Sequence, residues 1–289
     1  MSILEEKQKG WLVSEYRSPK NQHQELDNSI HNDDVAKPLG FRGGTVAGII
    51  HHEQFAPIML EVFGRRWFEH GSLSLYYTWA TTDSEAVRIW IEKPKGDAQE
   101  QLQVWMEHEN GNKVLEGTVS VGEVDPATSA LAAKLKAHKT GGENRILASM
   151  PVGQPFTQRR RISAKEQAGR RTVITEDLDW YWDNSPWGGA ILTPVTMFSL
   201  LDSAEPLAAS LPPNVVGLYG AIEVRVHGGP LFVDKDYDVT ACALAIGETP
   251  KTEVLWRDAQ LVDPDTGTEI ASMLMQNRWM KGSSPLWGD

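Results

Sequence analysis

The side chains best suited to move a proton cluster early in the chain, in Glu25-Leu26-Asp27-Asn28-Ser29-Ile30-His31-Asn32-Asp33-Asp34. An imidazole set among carboxylates and an amide can serve as general acid or general base. A glycine turn follows, Gly40-Phe41-Arg42-Gly43-Gly44-Thr45-Val46-Ala47-Gly48, and opens into a helix-like stretch running through Phe63. Backbone N–H groups at such a helix start, from Gly44 to Gly48, could hold an oxyanion, because the helix dipole favours negative charge there. A plainer account makes His31 a turn or capping histidine with Asn28 and Asp33 as polar neighbours, and Asp27 a solvated loop carboxylate.

Taken together, Asn28-Ser29-Ile30-His31, Asp33, Ala36 and Gly40-Phe41 resemble the hydratase signature of MaoC-like proteins, which reads Asn-Pro-(Leu/Ile)-His at its start. The resemblance implies a hot-dog fold, a long helix wrapped by an antiparallel β-sheet. It also implies (R)-specific addition of water to a trans-2-enoyl thioester such as an acyl-coenzyme A, or the reverse dehydration. In that scheme His31 is general acid or base, and Asn28, Gly43, Gly44 and Gly48 lie at the substrate. The family places an Asp two residues before the Asn; here that position is Leu26, which leaves Asp27 one residue away. Ser29 replaces the middle Pro, Ala47 replaces a His that often precedes the helix glycine, and the His31–Phe41 segment is one residue short. The helix start Ala47-Gly48-Ile49-Ile50-His51-His52-Glu53 is similar to the Pro-Gly-x-x-x-x-Glu of fatty-acid-synthesis dehydratases. That similarity implies a tunnel-facing Glu53, although Leu39 stands where their catalytic His would. The catalytic candidates are therefore His31, Asp27 and Glu53. Two alternatives share the fold: an acyl-coenzyme A thioesterase using a carboxylate near the helix start, and a catalytically altered protein that binds a hydrophobic ligand.

Other clusters carry less chemistry. His51 and His52 are adjacent, so their side chains diverge by about 100° on a helix and cannot share one metal ion; no metal is expected. Arg159-Arg160-Arg161 with Arg170 and Arg171 could meet coenzyme A phosphates, or simply form a solvated strand face. Trp180-Tyr181-Trp182 occupies the second half's counterpart of the His31 region, where no histidine occurs, and Trp187 precedes that half's paired glycines. That asymmetry suggests chemistry in one half and pocket shaping in the other, with Trp187 at a bulky acyl group. No Gly-x-Ser-x-Gly elbow, Walker loop or dinucleotide fingerprint is present, and no cofactor is expected.

These residues need a scaffold, and the chain repeats one. Gly43-Gly44 before the first helix-like stretch is matched, half a chain later, by Gly188-Gly189 before a second that runs through Ala209. Alternating apolar residues then predict four strands after each: Leu73–Trp79, Val87–Ile91, Leu102–Met106 and Leu115–Val121, then Leu218–Val226, Val239–Ala243, Val254–Val262 and Glu269–Trp279. Asn110-Gly111 is a hairpin signal. A surface helix is expected over Asp125–Lys139. The expected class is α+β, a tandem (double) hot-dog fold with an N-terminal domain at 1–145 carrying the motif and a C-terminal domain at 146–289, in which two such chains could form a homodimer.

Composition narrows the partners. With 289 residues, 40% of them hydrophobic, the chain can build substantial cores. A net charge of -11 speaks against a nucleic-acid partner. Lone Cys242 forms no internal disulfide, Glu5, Glu6, Lys7 and Lys9 interrupt any signal-like start, and no apolar run nears the roughly 20 residues that span a bilayer. A cytoplasmic protein with no membrane partner is the expectation.

Overall fold

A computed structural model describes residues 3–97, 99–202 and 205–288. Its strands are β1 (Leu4–Gln8), β2 (Trp11–Ser14), β3 (Gly71–Tyr77), β4 (Val87–Glu92), β5 (Glu100–His108) and β6 (Lys113–Val121), then β7 (Pro155–Arg160), β8 (Gly217–Val226), β9 (Tyr237–Glu248), β10 (Thr252–Val262) and β11 (Glu269–Met280). All join one 11-stranded sheet in the order β1-β2-β4-β5-β6-β3-β8-β11-β10-β9-β7. The seam is the antiparallel pair β3–β8, where Ser74 faces Glu223. Outward from it the order β6, β5, β4, β2 on one side repeats as β11, β10, β9, β7 on the other, which is the two-copy α+β arrangement expected from the repeat.

All eight expected strands form. Their period-two pattern is visible in β5, whose alternate residues Leu102, Val104 and Met106 are buried. At the β5–β6 hairpin, Gly111 takes a φ of +88° and its N–H donates to the His108 carbonyl (2.8 Å). Strands β1, β2 and β7 were not expected. β1 and β7 are largely polar edge strands that form by pairing with β2 and β9 rather than by burying an apolar face.

The helices are α1 (Asp33–Ala36), α2 (Gly48–Glu53), α3 (Ala56–Phe63), α4 (Arg66–His70), α5 (Ala130–Lys136), α6 (Ala164–Ala168), α7 (Pro194–Leu201) and α8 (Glu205–Ala208). The single helix expected through Phe63 is two, because Pro57 has no N–H for the Glu53 carbonyl and the ladder lapses there. The second stretch likewise resolves into α7 and α8, with residues 203 and 204 outside the described residues.

Helices α2 and α7 pack on each other inside the sheet. Ile49 and Ile50 of α2 share a core with Val195, Phe198 and Leu201 of α7 and with strands β8 to β11. Phe55, Ile58 and Met59 fill a second core against β3 to β6. Helix α5 covers the outer face at the seam, where its fully buried Leu131 meets Trp256 and its N–H donates to Ser74 Oγ (3.0 Å).

Candidate active site

His31 is fixed by the fold-back of its own loop. The Thr45 N–H donates to the Ile30 carbonyl (3.0 Å), and Asn21 Nδ2 donates to the His31 carbonyl (2.8 Å). Asp33 ties the glycine turn to the same point by accepting the Gly44 N–H (2.7 Å). That N–H and the Lys37 ammonium hold the Asp33 carboxyl below its usual range. Gly44 must be glycine here, since a Cβ would sit 2.1 Å from the His31 carbonyl oxygen.

The imidazole is oriented by a single strong bond, His31 Nδ1 to the Thr45 carbonyl oxygen (2.7 Å). A carbonyl only accepts, so Nδ1 carries the proton and Nε2 keeps its lone pair. Burial pushes this histidine's pKa below its usual value; the Thr45 carbonyl opposes the shift and nearby His23 adds to it. A half-buried, neutral imidazole of this kind is a competent base.

His31 lines a cavity of about 970 Å³ that runs between the motif loop, the end of β3 and the second half's strands β8 and β11. Gly48 lines it at the start of α2, with no side chain of its own in the way. A Cβ on Gly48 would lie 2.6 Å from the Tyr77 ring, whose hydroxyl donates to the Gly48 carbonyl (2.9 Å). Across the seam come Tyr219, Asn277 and Trp279. The lining includes Lys251 and Arg278 but, among the described residues, no carboxylate. His51 also faces this cavity, its Nε2 2.9 Å from Thr81 Oγ1, while the adjacent His52 turns to the opposite side of α2. Burial depresses the pKa of His51 to about 4 and that of His52 to about 3.

Of the candidate catalytic and substrate-binding residues, His31 and Gly48 meet in this cavity, with Ser29, Ile30, Gly40 and Phe41 of the motif also in its lining. The other candidates lie elsewhere. Asp27 is exposed in a turn outside the lining, beside Asn28, which has a φ of +52° and whose amide donates to Asn214 Oδ1 (3.2 Å). Gly43 packs against the Asp33 carboxylate, and the Gly44 amide is already spent on that group. Glu53 is fully buried away from the cavity, with Arg170 Nη2 3.3 Å from its carboxylate; burial pushes its pKa up to about 7 and Arg170 opposes the shift. Trp187 lies in an aromatic cluster with Phe68 and Trp180, its indole N–H donated to Glu69 (2.9 Å).

Arg159 and Arg161 pair with Asp238 and Asp236 on the β7–β9 edge, and Arg171 stacks over Trp182. Sequence reasoning missed His23, Tyr77, Tyr219 and Asn277 as lining residues. The described residues contain no cluster of three or more His, Cys, Asp or Glu able to hold a metal ion, and no helix long and apolar enough to cross a membrane.

No family model matches the chain, and neither does any curated protein. Solved structures do share its architecture. A MaoC domain protein from Chloroflexus aurantiacus, assigned as a dehydratase, superposes with a TM-score of 0.62 at 13% identity, covering 93% of this chain and 94% of that one. A Mycobacterium tuberculosis conserved hypothetical protein with a double hot-dog fold gives 0.59 at 11% identity over 93% and 96% of the two chains. A tesB protein from Mycobacterium avium subspecies paratuberculosis gives 0.51 at 11% identity over 96% and 95%. The chain therefore has a double hot-dog fold, the architecture that it shares with MaoC-like proteins.

Proposed function

We propose that the protein is a hydro-lyase that adds water to an enoyl thioester, or removes it from the 3-hydroxyacyl product, with His31 as general acid and base. The observation that carries this reading is the Nδ1 bond to the Thr45 carbonyl, which leaves Nε2 unprotonated on an imidazole that lines a large cavity. Nε2 takes a proton from water as the oxygen bonds to C3 of the enoyl group. The π electrons move to C2 and the thioester oxygen, and the imidazolium then returns its proton to C2. The charge on that oxygen would meet the Gly48 N–H, an unpaired donor at the start of α2. No cofactor is needed.

The volume of the cavity and its Tyr77, Trp79, Tyr219 and Trp279 walls suit a bulky acyl group. Lys251 and Arg278 in its lining suit an anionic carrier such as coenzyme A, in a chain whose net charge is -11. On this assignment residues 1–145 carry the chemistry and 146–289 complete the wall. Hydration of crotonyl- and longer enoyl-coenzyme A by the purified chain is the direct test, with loss of turnover in folded His31→Ala required. A second reading, a hot-dog protein that binds a hydrophobic thioester without turning it over, is favoured by the absence of a carboxylate from the lining. Tight acyl-coenzyme A binding with no hydration would select it. The thioesterase alternative has less support, since Glu53, the carboxylate carried by α2, is locked to Arg170.

A further inference from the structure

A water caught in the cavity needs more than one polar group to aim it, and the lining offers no carboxylate beside His31. What stands there instead is a second histidine. The His23 and His31 rings have centroids 5.5 Å apart and are tilted by 49°. That separation is compatible with one water oxygen between two ring nitrogens. Among the described residues the His23 ring makes no hydrogen bond to the protein, so both its nitrogens are open to a ligand.

The position of His23 is built rather than incidental. Its N–H donates to Asn21 Oδ1 (3.2 Å), from the same Asn21 that clips the His31 carbonyl. The preceding Gln22 donates to the Val173 carbonyl (2.8 Å) and accepts from Arg170, which also holds Glu53. A strap from the second half thus pins the loop that carries His23 against the first half's helix.

We propose, resting on the hydratase reading above, that His23 is the second water-holding group of this cavity, acting with His31 where a carboxylate would otherwise stand. The neutral His23 ring donates to the water oxygen and orients it, while His31 Nε2 accepts the water proton. The oxygen bonds to C3, and His31 passes the proton on to C2, so His23 ends the cycle unchanged. Burial and the Arg170 guanidinium both lower the pKa of His23, which keeps it neutral and able to act in this way near neutrality.

The test uses the full chain with enoyl-coenzyme A and the variants His23→Leu, His23→Ala and His23→Gln, each checked for folding by its thermal transition. His23→Leu should lower kcat on the order of 10²-fold with KM little changed. His23→Gln, which keeps a donor and an acceptor, should recover most of that loss. Because charge on His23 depresses the His31 pKa, the acid limb of the kcat/KM profile should also move to higher pH in His23→Gln, a sign that the two rings are neighbours, while the loss in kcat at constant KM and its recovery by Gln report the role in the reaction. If His23→Leu does not fold, the kcat of His23→Ala decides the matter. Unchanged kcat in His23→Leu or His23→Ala, with turnover still dependent on His31, would overturn the role of His23 and leave the hydratase reading standing. Absence of hydration by the wild-type chain would end both.

Discussion

The β3–β8 seam places two crevices in equivalent positions, and they have opposite fates. The first, with His31, is about 970 Å³ and polar in part. The second lies between the start of β3, the end of β8 and the segment entering α7, is lined largely by apolar side chains, and has only about 60 Å³. Trp67 and Phe68 from α4 fill it from one side, and Phe68 packs edge-on to Trp180 and tilted against Trp187, with ring centroids 5.6 and 6.0 Å away. The helix starts differ as well. Gly48 opens α2 with a free N–H, whereas Pro194 opens α7 and has none to give. Where the first crevice has a tethered imidazole, the second has the 96% buried His52, whose Nε2 has no hydrogen-bond partner in the described structure. One scaffold thus presents a water-accessible site once and packs its twin shut.

The sharpest way to break this contrast is to disable each crevice in turn. His31→Ala should lower hydration on the order of 10²- to 10⁴-fold, the range supplied by general acid–base catalysis. Trp187→Ala, in the closed crevice, should leave kcat/KM for the same enoyl thioester unchanged. Steady-state kinetics of both variants decides it: equal losses would mean that the two crevices do not divide the work as argued.

The next effect is on stability. Glu53 of α2 is a buried carboxylate, while the corresponding turn of α7 carries Ser199, which donates to the Val195 carbonyl (3.0 Å). Burial raises the folded pKa of Glu53 from 4.5 to about 7. Between those values the folded state binds more protons than the unfolded state, so stability falls as pH rises through the window. The drop should be on the order of 3 kcal/mol, and most of it should vanish in Glu53→Gln. Burial also raises the pKa of neighbouring Glu176, which leaves a residual slope of the same sign. Denaturant titrations on either side of the window measure the difference; identical slopes in the two proteins would show that Glu53 is not the group responsible.

What the sequence disclosed follows the reach of its signals. Strands with one buried face announce themselves by alternation, so β3 to β6 and β8 to β11 were legible. The edge strands β1 and β7 were not, because their stability comes from pairing rather than from a buried stripe. His31 stood out because its polar neighbours are local. His23 did not, since only the clip through Asn21 and the strap at Arg170 bring it beside His31. Helical spacing put Glu53 on α2 but could not say that Arg170, more than a hundred residues later, would claim its carboxylate. For Trp187 the sequence offered only its place before the paired glycines. Its partners Phe68 and Glu69 come from the other half, and with them it packs behind the small crevice instead of lining the open one.

The smallest effects separate the two helix starts. Gly48→Ala forces a Cβ to within 2.6 Å of the Tyr77 ring, so the ring or α2 must move, at a cost of about 1–3 kcal/mol typical of overpacking. Because the displaced backbone includes the N–H proposed to meet the thioester oxygen, kcat should fall along with stability. Thr193→Ala acts on the start of α7 instead. Fully buried Thr193 caps that helix by accepting the Thr196 N–H (3.1 Å), and losing a cap costs about 1 kcal/mol. Since Pro194 offers no N–H to a substrate, the cost should appear in thermal unfolding alone, with hydration kinetics unchanged. A fall in kcat in Thr193→Ala as deep as that in Gly48→Ala would mean that α7 also serves the reaction, and the division between an open, reactive crevice and a packed one would have to be abandoned.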